Sequence, residues 1–156
     1  MAVVELADLP GAMARNAPIV GLDLGTKTIG VAVSDGGRMI ASPLALIRRT
    51  KFTADAEALI KLMDGRGAAG IVIGLPINMD GSEGPRCQSA RAFARNLLRL
   101  NDIPIAFWDE RLSTEAVNRM LIGEVDASRA RRAELVDKAA AAWILQGALD
   151  RLRSLR

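Results

Sequence analysis

Residues Ile19 to Asp35 read I-V-G-L-D-L-G-T-K-T-I-G-V-A-V-S-D, two β-rich runs joined by a short glycine-containing turn. The pattern predicts a strand over about 18–23, a tight turn at Gly25-Thr26-Lys27 and a returning strand over about 28–34. One position stands against the hydrophobic grain: Asp23 sits at the end of the first, otherwise apolar strand. A buried carboxylate without a partner costs several kcal/mol, so its presence calls for a cation or a hydrogen-bond network. A plainer account is a polar strand end satisfied by the amides of the turn.

The chemistry open to such a carboxylate is narrowed by what is missing. The chain has 156 residues and no histidine or tyrosine. Serine and cysteine hydrolysis relayed through histidine, imidazole-bound zinc and histidine general bases are thereby excluded. The single cysteine, Cys87, cannot form an internal disulfide and fits a reducing, cytoplasmic setting. No apolar run approaches the ~20 residues of a membrane span, and no signal-peptide pattern opens the chain. What remains is chemistry by carboxylates, Lys, Arg and hydroxyls, or by a hard metal ion held through oxygen.

Positive charge is unevenly distributed. Between Ser128 and Arg156, seven basic residues face three acids, a net +4 against +3 for the whole chain. Arg91, Arg95 and Arg99 recur every fourth residue and form a stripe on one helix face, with Phe93, Leu97 and Leu100 on another. Each arginine taken singly reads as solvated helix surface; the two clusters together suit a polyanionic partner, that is, nucleic acid.

Along the chain, residues 1–16 show no sustained period and read as a loose N-terminal extension, leaving 17–156 as one domain. A third strand is expected within Arg38–Arg49, at a sheet edge because of Pro43. Thr53 is placed to cap a helix of about 54–64, and Ile71-Val72-Ile73 forms a buried strand. The arginine-striped helix spans about 85–101, and a strand from Pro104 to Trp108 ends at Asp109-Glu110-Arg111. Helices of about 114–122 and 134–153 close the chain. This order predicts a single α/β domain, a mixed sheet with helices on its faces.

Three acids fall at telling places: Asp23 on the first strand, Asp109 or Glu110 where a later strand leaves the sheet, and Asp137 in the first turn of the last helix. Alternation along Ile105–Glu110 sends Asp109 and Glu110 to opposite faces, so at most one joins Asp23. Singly, each acid reads as structural, Asp137 as one favoured by the helix dipole. Converging, they make an oxygen-rich site for Mg²⁺ or Mn²⁺, suited to metal-assisted phosphoryl chemistry without histidine.

Four blocks carry a resemblance to a known family. Gly21-Leu22-Asp23-Leu24-Gly25-Thr26-Lys27 with Gly30–Asp35, then Gly74-Leu75-Pro76-Ile77-Asn78-Met79-Asp80-Gly81, then Asp109–Thr114, then Val136–Ala140 resemble the motifs of the YqgF/RuvX family, in the same order. The resemblance implies a ribonuclease H-like fold shared with Holliday-junction resolvases. It implies a cytoplasmic nuclease that processes the 5′ end of precursor 16S ribosomal RNA, with ribosomal particles as possible partners. It carries over Asp23, Glu110 and Asp137 as metal-binding catalytic carboxylates and leaves Asp109 a supporting acid. The Gly25–Lys27 turn and the Asn78–Gly81 loop would border the cleft. Lys27, Arg91 and Arg95 are candidates for phosphate contact; Arg111 either joins them or orients Glu110 through an ion pair. Two other substrate readings stay open: resolution of four-way DNA, which requires a dimer where RNA trimming does not, and a ribosome-assembly factor that binds without cutting. Asp-x-Gly-Thr after a strand also resembles the phosphate loop of actin-like ATPases, but those need two such domains.

Overall fold

The computed structural model describes residues 3–112 and 129–155, including their side chains except those of residues 129–138. Five strands form one mixed sheet: β1 (Ile19–Leu24), β2 (Thr28–Ser34), β3 (Ala41–Arg48), β4 (Gly70–Leu75) and β5 (Ile105–Asp109), in the order β3-β2-β1-β4-β5. Among the described residues, three helices cover it: α1 (Phe52–Arg66), α2 (Pro85–Leu100) and α3 (Arg129–Ser154). This is the expected mixed α/β domain. The expected helix at about 114–122 lies outside the described residues.

The β1–β2 hairpin closes through the Gly25 amide donating to the Thr28 carbonyl at 2.9 Å, with Asp23 opposite Gly30. β3 lies at the sheet edge, as Pro43 requires, because an edge strand can leave one backbone position without an N–H. Its register against β2 shifts between Val31 and Ala32, where the partners jump from Ala45 to Pro43 and leave Leu44 as a bulge. β1, β4 and β5 run parallel, so Leu24, Leu75 and Asp109 end at one edge of the sheet.

Alternation sorts the side chains into two cores. Val20, Leu22, Ile71, Ile73 and Ile105 pack against α1 and α2 through Leu59, Met63, Phe93 and Leu97. Ile19, Ala32, Val72 and Ala106 pack against α3 through Ala141, Ile144, Leu145 and Ala148. α3 approaches β1 so closely that a Cβ on Gly21 would stand 2.6 Å from Leu145 Cβ and 3.1 Å from the Ala141 carbonyl oxygen. Glycine in the strand and alanine on the helix are therefore halves of one contact. Gln146 fixes the helix laterally, accepting from the Ala41 amide at 2.8 Å and donating to the Met39 carbonyl at 3.0 Å.

Several boundaries differ from the sequence reading. α1 starts after Lys51, and Thr53 does not cap it; instead the buried Asp55 carboxylate accepts from the Thr50 amide at 3.0 Å. The helix ends on Gly67 in the left-handed region (φ 67°), whose amide satisfies carbonyls of the last turn. Leu100 is exposed, because the apolar face of α2 ends at Leu97. α3 begins at Arg129, so Asp137 lies two turns in rather than in the first turn. The helix dipole, felt only in that first turn, does not account for it.

Within residues 3–16, contacts with the domain are made. The Val4 amide donates to the Ile105 carbonyl at 2.9 Å, and Leu9 is fully buried beneath α3. Arg38 reaches across to the Ala17 and Ala14 carbonyls, both at 2.8 Å. A segment of irregular sequence shows no periodic signal even when single residues of it complete a core. Cys87 is buried, and burial pushes its thiol pKa up, as an inert core residue requires.

Candidate active site

Asp23 and Glu110 meet at the carboxyl edge of the parallel strands, although β4 separates β1 from β5. The gap is bridged over Gly74. A Cβ at Gly74 would stand 2.9 Å from Glu110 Cγ and 3.1 Å from its Cδ, so Glu110 lies across a backbone that carries no side chain. The same position is closed from above by Ile144 Cδ1, 2.6 Å from that hypothetical Cβ. Asp23 shares the sheet face of Gly21, and Glu110, one residue beyond β5, falls on that same face by alternation.

The pairing leaves an electrostatic mark. The Glu110 carboxyl is pushed up to about 7, first by its partial burial and next by the charge of Asp23. Arg86 opposes the shift, while the hydrogen bond that protonated Glu110 makes to Asp23 adds to it. Two carboxyls this close cannot both ionise at low cost without a cation between them.

Asp109 takes the other face and another partner. Arg111 Nη2 meets its Oδ2 at 2.6 Å, while Arg111 Nε lies 3.0 Å from both oxygens. The guanidinium beside Asp109 holds its carboxyl below the usual carboxylate range. Arg111 also reaches the Asn78 carbonyl at 3.4 Å, tying β5 to a compact loop. In that loop Asp80 accepts from the Ser82 hydroxyl at 2.6 Å, and Gly81 adopts φ 89°. The ion pair of Arg111 thus runs to Asp109, not to Glu110.

The remaining nominated residues are placed as follows. Arg91 forms a two-pronged pair with Glu83 (2.7 and 2.8 Å) and lies 4.9 Å over the Phe107 ring. Lys27 and Arg95 are exposed. Asp137 belongs to the backbone of α3, but its side chain lies outside the described residues. Among the described residues no cluster of three or more metal-ligating His, Cys, Asp or Glu side chains occurs; Asp23 and Glu110 supply two carboxylates.

Two arginines escaped the sequence reading. Arg49, just past β3, donates to the Gly25 carbonyl at 2.7 Å, and Arg86, in the first turn of α2, donates to the Leu24 carbonyl at 3.3 Å. Both grip the turn that follows Asp23. Arg49 belongs to a short basic run with Arg48 and Lys51, while Arg86 has no basic neighbour within four residues on either side.

Known proteins resemble this chain over nearly its whole length. A family model described as "RuvX: Holliday junction resolvase" matches residues 17–151. A protein of Phenylobacterium zucineum named "Putative pre-16S rRNA nuclease" is 75% identical over 156 residues, covering 99% of this chain and all of its own. One of the same name from Rhodospirillum rubrum is 61% identical over 152 residues, covering 97% of this chain and 94% of its own. In fold, the chain is similar to Thermus thermophilus RuvC bound to a Holliday junction substrate, with TM-score 0.53 and 12% identity over 87% of this chain and 96% of that one.

Proposed function

From the premise that this chain belongs to the RuvX family, we propose that it hydrolyses phosphodiester bonds, and that its substrate is the 5′ end of precursor 16S ribosomal RNA in the cytoplasm. The observation that carries the reading is the Asp23–Glu110 carboxyl pair, assembled over Gly74 at the ligand-binding edge of the sheet. The full-length similarity to relatives named for that RNA supports the substrate.

Asp23, Glu110 and Asp137 would hold a divalent cation, Mg²⁺ or Mn²⁺. The donor set fits: two carboxyls in contact, one with a raised pKa, are relieved by a hard cation. By helical spacing Asp137 precedes Ala141 by one turn and Leu145 by two, and these are the two residues whose atoms lie over Gly21. A bound cation supplies Lewis acidity toward a phosphate oxygen and a lower pKa for water. The protein's own residues do the rest. Glu110 holds or releases a proton against Asp23, Arg86 favours the ionised form of Glu110, and Gly74 leaves room for the Glu110 side chain.

The family's description favours a second substrate, four-way DNA. One experiment separates them: incubate purified protein with Mg²⁺ or Mn²⁺ and either an RNA spanning the precursor 16S 5′ end or a synthetic junction. Cleavage of the RNA at the mature end, lost in Asp23→Asn, Glu110→Gln and Asp137→Asn while binding persists, is expected. Cleavage of the junction alone would transfer the assignment to DNA. RNA binding without cleavage under any metal would leave a binding factor.

A further inference from the structure

A cleft of about 520 Å³ opens beside the acid pair, lined by Leu24, Gly25, Thr26, Arg49, Thr50, Pro85, Arg86 and Ser89. Leu24 in its wall follows Asp23 on the opposite face of β1, and the charge of Arg86, also in the wall, reaches Glu110 round the end of the sheet. Among the described residues, no carboxylate lines it. Its polar groups are two guanidiniums from distant parts of the chain and the hydroxyls of Thr26, Thr50 and Ser89.

Each guanidinium has five N–H donors in a fixed fork. Arg49 places one on the Gly25 carbonyl and Arg86 places one on the Leu24 carbonyl, which anchors both heads on the rim. Gly25 carries no side chain, so a ligand can come up to the turn's backbone. α2 begins at Pro85, after Gly84, and its N-terminal end forms the far wall. The whole arrangement favours an anion with several oxygens. Arg91 and Arg111, by contrast, pair with Glu83 and Asp109.

We propose that the Arg49–Arg86 cleft is a phosphate subsite that holds the nucleic-acid backbone alongside the bond cut at the acid pair. The assignment rests on the nuclease reading for its ligand, and on the two arginines for its chemistry. It sets the strand's path: across the end of β1, between the Gly25 turn and the start of α2.

The test is binding rather than turnover. A short fluorescein-labelled single-stranded oligoribonucleotide is titrated by anisotropy in metal-free buffer across a salt series, with thermal melting as the folding control. Arg86→Gln removes a cleft cation. Ser89→Glu, at an exposed position, adds an opposing charge and leaves both arginine contacts in place. Each is expected to weaken binding about tenfold, and Arg86→Gln to lower the slope of log K against log salt by about 0.7, one phosphate contact on a single strand. Arg49→Gln combined with Arg86→Gln should lower it by about twice that. Unchanged affinity and slope in Arg86→Gln and Ser89→Glu overturn the subsite. Equally tight ATP binding, lost in the same variants, also overturns it, giving the cleft to a nucleotide. Should the wild-type protein show these dependences yet cut no strand with any metal, the subsite stands and the nuclease reading fails.

Discussion

Glu110 crosses the bare backbone of Gly74 to reach Asp23: the space a Gly74 Cβ would occupy is 2.9 Å from Glu110 Cγ. The meeting of two acids on strands that are not neighbours depends on a residue with no chemistry of its own.

Gly74→Ala is the direct probe of that dependence. The added methyl meets Glu110 Cγ and Ile144 Cδ1 at once, so either the carboxyl or the α3 core must move. Overpacking of this kind costs about 1–3 kcal/mol. The expected outcome is a lowered melting temperature together with at least a ~10-fold loss of cleavage, since small misplacement of a reacting group is expensive. Full activity in a stably folded Gly74→Ala protein would show that Glu110 need not lie there.

The raised pKa of Glu110 makes stability depend on pH in a definite direction. Between its ordinary value of 4.5 and about 7, the folded protein keeps a proton that the unfolded chain has released. The contribution is therefore complete below 4.5 and is lost as pH rises through 7, by no more than about 3 kcal/mol. Denaturant titrations of wild type and Glu110→Gln in metal-free buffer should diverge over that window, with Glu110→Gln the more stable above it. Added Mg²⁺ should flatten the wild-type slope, because a cation favours the ionised pair. Parallel pH profiles for the two proteins would remove the carboxyl coupling.

Arg111 pairs with Asp109 and reaches the Asn78 carbonyl, so we propose that it holds the loop rather than a phosphate. Arg111→Gln and Asp109→Asn should each loosen the Asn78–Gly81 loop, and the double variant should do no more than either alone. Proteolysis of the loop and KM for the RNA are the readouts. The salt slope of binding should stay as in wild type. A lower slope in Arg111→Gln alone would make this residue a phosphate ligand.

The N-terminal segment contributes to the core through Leu9, which is fully buried. Leu9→Ala should cost about 2–5 kcal/mol, as for other buried leucines. Melting of Leu9→Ala within a degree or two of wild type would make residues 3–16 a loose extension.

The hairpin and the strand ends were legible because each depends on neighbours along the chain. A glycine turn between two β-rich runs predicts β1 and β2, Pro43 predicts an edge, and alternation through Ile105–Glu110 sends Asp109 and Glu110 to opposite faces. Thr53 misled because the side chain that satisfies the start of α1 comes from Asp55, further along. The contacts of the N-terminal segment were not legible because burial of Leu9 leaves no period to detect.

Which charges face outward could not be read in this way. A spacing of four predicts that Arg91, Arg95 and Arg99 share a helix face, but not that Glu83 lies against the first of them. Arg49 and Arg86 come from separate elements, and only the folding of β3 and α2 around the Gly25 turn brings them to one cleft. Local order along the chain, through backbone periodicity and turn chemistry, settled what Asp23 is and where it sits. The three-dimensional approach of distant segments decided its company, because ion pairing and carboxyl coupling act over a few ångströms of space and ignore separation in sequence.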